Sequence, residues 1–171
     1  MEKKPIRYFL YGKTNSGKTV ILKEWLKRIE EENGIYLPYE GGNETPIIRL
    51  DYGKRKIKEQ GGWINKKIAI FENMDNYREI YYLKIMDAIK LNMNIIIITR
   101  NPHERIRTKL NDILNEFITF NIDKQGNTVE ERVRNMLGIM QYPIIKHPFK
   151  YIQKTIPYLM NEKPRKLYEQ N

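Results

Sequence analysis

Apolar positions along the chain fall into short continuous runs, separated by stretches in which they recur at helical spacing. Ile6 to Tyr11 is such a run, closed by Gly12, and predicts a buried strand. Ile21, Leu22, Trp25, Leu26 and Ile29 then share one helical face between Gly17 and about Glu32, and Asn33-Gly34 supplies the stop. Pro38, Gly41, Gly42 and Pro46 mark residues 35 to 46 as a loop, and Pro46 to Asp51 reads as a second strand. Ile68 to Phe71 predicts a third strand ended by Glu72-Asn73, followed by a helix from about Asn76 to Leu91 carrying Ile80, Leu83, Met86 and Ile89. Asn94 to Thr99 is apolar on both faces, as a central parallel strand requires.

Pro102 opens a helix to Leu114, where its missing N–H costs nothing, and Glu116 to Ile122 is a fifth strand. Thr128 caps a last helix, with Glu131 completing a capping box. Alternating strands and helices of these lengths predict an α/β fold of three layers, with a mostly parallel central sheet of about five strands. Residues 1–146 form one domain in this reading. Residues 147–171 are a basic, aromatic C-terminal extension broken by Pro148, Pro157 and Pro164.

Composition narrows the chemistry. Of 171 residues, 40% are hydrophobic and 30% charged, which supports a sizeable core and excludes a disordered chain. The absence of cysteine excludes disulfides and thiolate metal sites, and His103 and His147 are the only imidazoles. No apolar run reaches the ~18 residues of a membrane span, and Met1 to Pro5 lead straight into a strand, so a soluble, cytoplasmic protein is expected. Lack of cysteine with abundant Lys and Glu suits a thermophile. Thirty-one Lys and Arg against 21 Asp and Glu give a net charge of +10. Such an excess fits a polyanionic partner, above all nucleic acid, and fits equally a lysine-rich proteome from AT-rich coding.

Gly12-Lys13-Thr14-Asn15-Ser16-Gly17-Lys18-Thr19 is a full G-x-x-x-x-G-K-T match. Glycines let the backbone turn so that successive N–H groups face a phosphate, and the following helix aims its positive end at the same anion. Lys18 is placed to reach β- and γ-phosphates, and Thr19 to hold Mg²⁺ through its hydroxyl. Glu72, closing the third strand, is the acidic candidate for the same metal. Asn73 beside it can orient a water but cannot take its proton, so a general base has to be Asp75, Asp51 or Glu72 itself.

These residues resemble the FtsK–HerA class of P-loop ATPases, which includes viral genome-packaging ATPases and the Zot-like proteins of filamentous phages. Gly12 to Val20 is similar to the class's G-x-T-G-S-G-K-S/T-V loop, and Pro46 to Lys54 to its second strand, which ends in Asp. Glu72-Asn73-Met74-Asp75 falls where the class has Asp-Glu. Ile96 to Pro102 resembles its strand and polar sensor, with Thr99, Arg100 and Asn101 at the sensor. Ile106-Arg107 and Phe117 to Phe120 resemble its next helix and strand, so the likeness spans roughly residues 6 to 138. It implies a RecA-like P-loop NTPase that uses ATP and Mg²⁺ to move or package duplex DNA, working as a homo-oligomeric ring, usually a hexamer. A capsid or other viral or plasmid protein would be its partner, and a host cytoplasm its setting. In such rings an arginine from one subunit completes its neighbour's site; Arg78, Arg105 and Arg107 are the candidates here. Lys54, Arg55, Lys56 and Lys58 are candidates for DNA phosphates, and read equally well as a solvated loop. Three departures stand out: Glu72 for Asp, Asn73 for the catalytic Glu, and Arg100 for the sensor Gln.

Two other readings use the same loop. A Ras-like small GTPase would take Asp51-Tyr52-Gly53-Lys54 and Asn101-Pro102-His103-Glu104 as its remaining motifs, but the lysine under the base is missing and the glycine is one position off. A nucleotide-binding module with little turnover follows from Asn73.

Overall fold

Successive side chains of a strand point to opposite faces, and here each face carries its own core. The computed structural model describes residues 4–42, 44–52, 63, 65–73, 79–100, 113 and 115–146. Among the described residues five strands, β1 (Arg7–Tyr11), β2 (Ile47–Asp51), β3 (Ile68–Glu72), β4 (Asn94–Thr99) and β5 (Ile118–Asn121), and three helices, α1 (Lys18–Asn33), α2 (Glu79–Lys90) and α3 (Val129–Ile139), follow in the order β1-α1-β2-β3-α2-β4-β5-α3. The strands form one sheet in the order β2-β3-β4-β1-β5, and every pairing is parallel.

Tyr8, Leu10, Ile68, Ile70, Ile96 and Ile98 meet α1 and α3 on one face. Phe9, Ala69, Phe71, Ile95 and Ile97 meet Ile85 and Ala88 of α2 on the other, together with Ile113 and Phe117. The result is the expected three-layer α/β arrangement. Ile21, Leu22, Trp25, Leu26 and Ile29, the helical stripe of the sequence, are all buried. Burying each such side chain contributes about 1.5–3 kcal/mol, which anchors the helix whose first turn borders the glycine loop.

Local signals set the ends. α1 stops at Gly34, in the left-handed region at φ 66°, whose N–H bonds the Glu30 carbonyl at 2.9 Å. Thr128 Oγ1 accepts from the Glu131 N–H at 3.1 Å and so caps α3. The Glu131 carboxylate accepts from the Asn127 N–H at 2.8 Å, one residue before the position a standard capping box would use. Residues 141–146 return along α1: Trp25 Nε1 donates to the Gln141 carbonyl at 2.8 Å, and the Asn33 side chain bonds both Pro143 and Ile145.

Two expectations need correction. The fifth strand stops at Asn121, because Ile122–Lys124 tightens into a 3₁₀ turn instead of continuing the ladder. In α2 the most buried positions are Ile85 and Ala88, with the expected Met86 and Ile89 packed beside them, whereas Leu83 is exposed, so the helix is rotated somewhat from the face expected. The helix expected over 102–114, apart from Ile113, and the extension 147–171 lie outside the described residues. Among the described residues no helix is long and apolar enough to cross a membrane.

Candidate functional site

Parallel strands bring their C-terminal ends to one edge, where α/β sheets bind ligands. In spatial order that edge carries Asp51, Glu72, Thr99, Tyr11 and Asn121, with Asp51 level with Glu72 and Tyr11 level with both Thr99 and Asn121. The glycine loop leaves β1 at the middle of this edge. Its first N–H, on Gly12, points at the carbonyls of Thr99 and Arg100, at 3.3 and 3.1 Å, which ties the loop to β4.

The loop is tightly wound. A Cβ on Gly12 would lie 2.9 Å from Ser16 Oγ and 3.2 Å from Ile122 Cβ, so a side chain there would displace its neighbours. Ser16 N–H donates to the Lys13 carbonyl at 3.1 Å, Asn15 sits at φ 68°, and Gly17 reaches φ 110°. A Cβ on Gly17 would also come within 3.2 Å of Val129 Cγ1. Lys18 folds back over this curve. Its Nζ donates to the Gly12 carbonyl at 2.5 Å, the Lys13 carbonyl at 2.7 Å and Ser16 Oγ at 3.2 Å. Among the described residues no side chain caps α1, and its first turn holds no acid, so the positive end of its dipole faces the loop. Lys13, Thr14, Asn15, Thr19 and Val20 are exposed around the mouth, while Ser16 is buried beneath it. The motif residues are thus gathered into one tight turn that carries the charges of Lys13 and Lys18.

A second polar group occupies the β2–β3 side of the edge. Glu72 is buried at 4% exposure and forms an ion pair with Arg49 Nε. Tyr39 places its hydroxyl 2.7 Å from both Glu72 oxygens. Arg49 also reaches Asp51 at 3.4 Å and Glu40 at 3.1 Å, and its guanidinium lies 4.2 Å over the Tyr39 ring. Burial pushes the Tyr39 hydroxyl above the ordinary tyrosine range, and the Glu72 carboxylate it bonds pushes it further. Asn73, at φ 59°, donates from Nδ2 to Asp51 Oδ1 at 2.7 Å.

The sequence candidates therefore divide. Gly12 to Val20 come together, with Thr99 buried next to them and Arg100 exposed at the same strand end. Glu72 and Asn73 stand at the end of β3, two strands from β1 or roughly 10 Å by sheet spacing. Asp75, Arg78, Asn101, Arg105, Arg107, Lys54, Arg55, Lys56 and Lys58 lie outside the described residues. Among the described residues no group of three or more His, Cys, Asp or Glu converges on a point. The Thr19 hydroxyl suits a magnesium ion at the loop mouth. The Glu72 carboxylate does not in this arrangement, because Arg49 and Tyr39 hold it. Arg49, Tyr39, Asp123 and Arg132 were missed by sequence reasoning, since each acts through a partner distant in the chain.

Comparison with family models, curated proteins and solved structures returns no match to this chain.

Proposed function

We propose that the chain is a P-loop nucleoside triphosphatase, binding ATP at residues 12–20. The observation that carries this reading is the fold of the loop itself. A strand, a glycine turn with Gly17 at φ 110° and an uncapped helix surround the ammonium of Lys18. The N–H groups at the start of α1, which precede its first helical bond from Ile21 to Gly17, and the helix dipole act together on an anion there. Lys18 already bridges the Gly12 and Lys13 carbonyls, which holds its charge at the mouth, where phosphate oxygens offer stronger, charge-assisted bonds. Magnesium, held at the Thr19 hydroxyl, would supply further neutralisation of the β- and γ-oxygens.

Within that class, the resemblance to FtsK–HerA ATPases and the net charge of +10 support a ring-forming motor or packaging enzyme acting on duplex DNA. An all-parallel sheet with β4 between the loop strand and the Glu72 strand is consistent with a RecA-like layout. The GTPase reading draws less support. Asp51, which it needs beside the phosphates, ends an edge strand three places from β1, about 14 Å away by sheet spacing.

A second reading, nucleotide binding with slow turnover, is favoured by one observation. Each described candidate base is already engaged, Glu72 by Arg49 and Tyr39, and Asp51 by Arg49 and Asn73. ATP and GTP hydrolysis measured with and without duplex DNA separates the readings. The motor predicts ATP turnover that rises with DNA; the module predicts ATP binding with a low, flat rate. Faster GTP turnover would favour the GTPase.

A further inference from the structure

The glycine loop has an outer wall that no part of its motif encodes. The segment from the 3₁₀ turn to the first turns of α3 lies against it. Asp123 Oδ2 accepts from the Lys13 N–H at 2.9 Å. Arg132 donates from Nη1 to the Ser16 carbonyl at 3.2 Å, from Nε to the Gly126 carbonyl at 3.0 Å and from Nη2 to the Asn127 carbonyl at 3.5 Å. Ile122 and Val129 close the contact, each 3.2 Å from where a Cβ of Gly12 or Gly17 would stand.

These bonds matter because a peptide unit is planar and trans, so its C=O and the following N–H point in opposite directions. The Gly12–Lys13 peptide has its N–H turned outward to Asp123 and its C=O turned inward to Lys18 Nζ. The Ser16–Gly17 peptide has its C=O turned outward to Arg132, so the Gly17 N–H is aimed away from Arg132. Two loop peptides are therefore oriented from outside the motif. Gly126 keeps the wall close: a Cβ there would meet the Glu131 Cβ at 2.8 Å and the Arg132 amide nitrogen at 3.0 Å, forcing α3 away from the loop.

We infer that Asp123 and Arg132 are positioning residues that preset two loop peptide planes for a polyphosphate ligand, Asp123 the one that gives Lys18 its resting carbonyl and Arg132 the one that carries the Gly17 amide. The inference rests on the reading of residues 12–20 as a phosphate loop and extends it to a second, distant segment of the chain. Asp123 holds the first peptide plane when Lys18 turns from the Gly12 carbonyl to phosphate. Arg132 holds the plane that presents the Gly17 amide. Orientation fixed before binding is orientation that the ligand need not impose.

The test is titration calorimetry of the full chain with MgATP and with inorganic tripolyphosphate, alongside thermal melting. Asp123→Ala and Arg132→Met are expected to weaken both ligands about tenfold, with melting temperatures close to wild type. Asp123→Asn, whose amide oxygen still accepts from Lys13, recovers most of the loss; a merely structural role predicts neither the polyphosphate loss nor that recovery. Wild-type affinity in both Asp123→Ala and Arg132→Met overturns the inference, as does Asp123→Asn binding no better than Asp123→Ala. Lys18→Ala separates this outcome from failure of the underlying reading. If it binds both ligands like wild type, the phosphate loop itself is refuted; if it loses them while the Asp123 and Arg132 variants do not, only the positioning role falls.

Discussion

Arg49 and Glu72 face each other diagonally across the β2–β3 ladder, on the α1 side of the sheet, as a nearly dry ion pair. Their side chains are only 13% and 6% exposed. Asp51, not Arg49, is the residue level with Glu72, so the pair depends on the reach of the arginine along the strand. Tyr39 closes it from the loop, donating to the carboxylate and accepting from Arg49 Nη2 at 3.0 Å.

Removing Arg49 leaves the Glu72 carboxylate buried without its counter-charge, whereas removing Glu72 leaves Arg49 with Asp51 and Glu40. Arg49→Met is therefore expected to destabilise the fold by about 3 kcal/mol, whereas Arg49→Met with Glu72→Leu recovers most of the loss. Denaturant unfolding checks this. A loss below about 1 kcal/mol, the range of exposed pairs, would contradict it.

Tyr39 adds a dependence on alkaline pH. Its native pKa is raised by burial and by Glu72, so above about pH 10 the unfolded chain releases this proton while the native state retains it. The unfolded state then binds fewer protons, and stability falls as pH rises toward the native value. Unfolding of wild type and Tyr39→Phe between pH 9 and 11 (roughly the span over which a model tyrosine titrates) reads the effect by difference. Wild type should lose stability faster; parallel curves would remove Tyr39 from the network.

Gly17 joins stability to the loop. With φ at 110° and Val129 Cγ1 at 3.2 Å from its missing Cβ, Gly17→Ala is expected to cost about 1–2 kcal/mol and to weaken MgATP binding. Melting and titration on the same sample test both arms. An unchanged melting temperature would mean the turn tolerates a side chain.

On the proposed reading, Asn73 stands where a general base would act. A carboxylate there supplies the proton acceptor that an amide lacks, so Asn73→Glu is expected to raise single-turnover ATP hydrolysis at least tenfold. Losing the bond to Asp51 and placing a longer side chain at φ 59° should lower stability at the same time. An unchanged hydrolysis rate in a folded variant would locate the limiting step elsewhere.

Much of this was legible in the chain because it is local. The stripe from Ile21 to Ile29, the apolar run of β4, the Gly34 stop and the Thr128 cap all follow from spacing within a few residues. The glycine loop was legible for the same reason. What escaped depends on strand order. Arg49 meets Glu72 only because β2 lies beside β3, and Asp123 and Arg132 reach the loop across 110 and 116 residues. No periodicity encodes those contacts. The end of β5 was misplaced because Ile122 is as apolar as a strand residue, while Asn121, whose side chain accepts from the Asp123 N–H, turns the chain. Leu83 was misjudged because periodicity alone admits more than one rotation of α2.

The central claim is that Lys18 and the loop amides bind a triphosphate. Titration calorimetry of MgATP into wild type and Lys18→Ala, with circular dichroism establishing that both are folded, tests it most directly. Wild type should bind with micromolar affinity or better, and Lys18→Ala should weaken it by at least about a hundredfold while melting within a few degrees of wild type. Equal affinity in the two folded proteins, or no binding by wild type, would contradict the account.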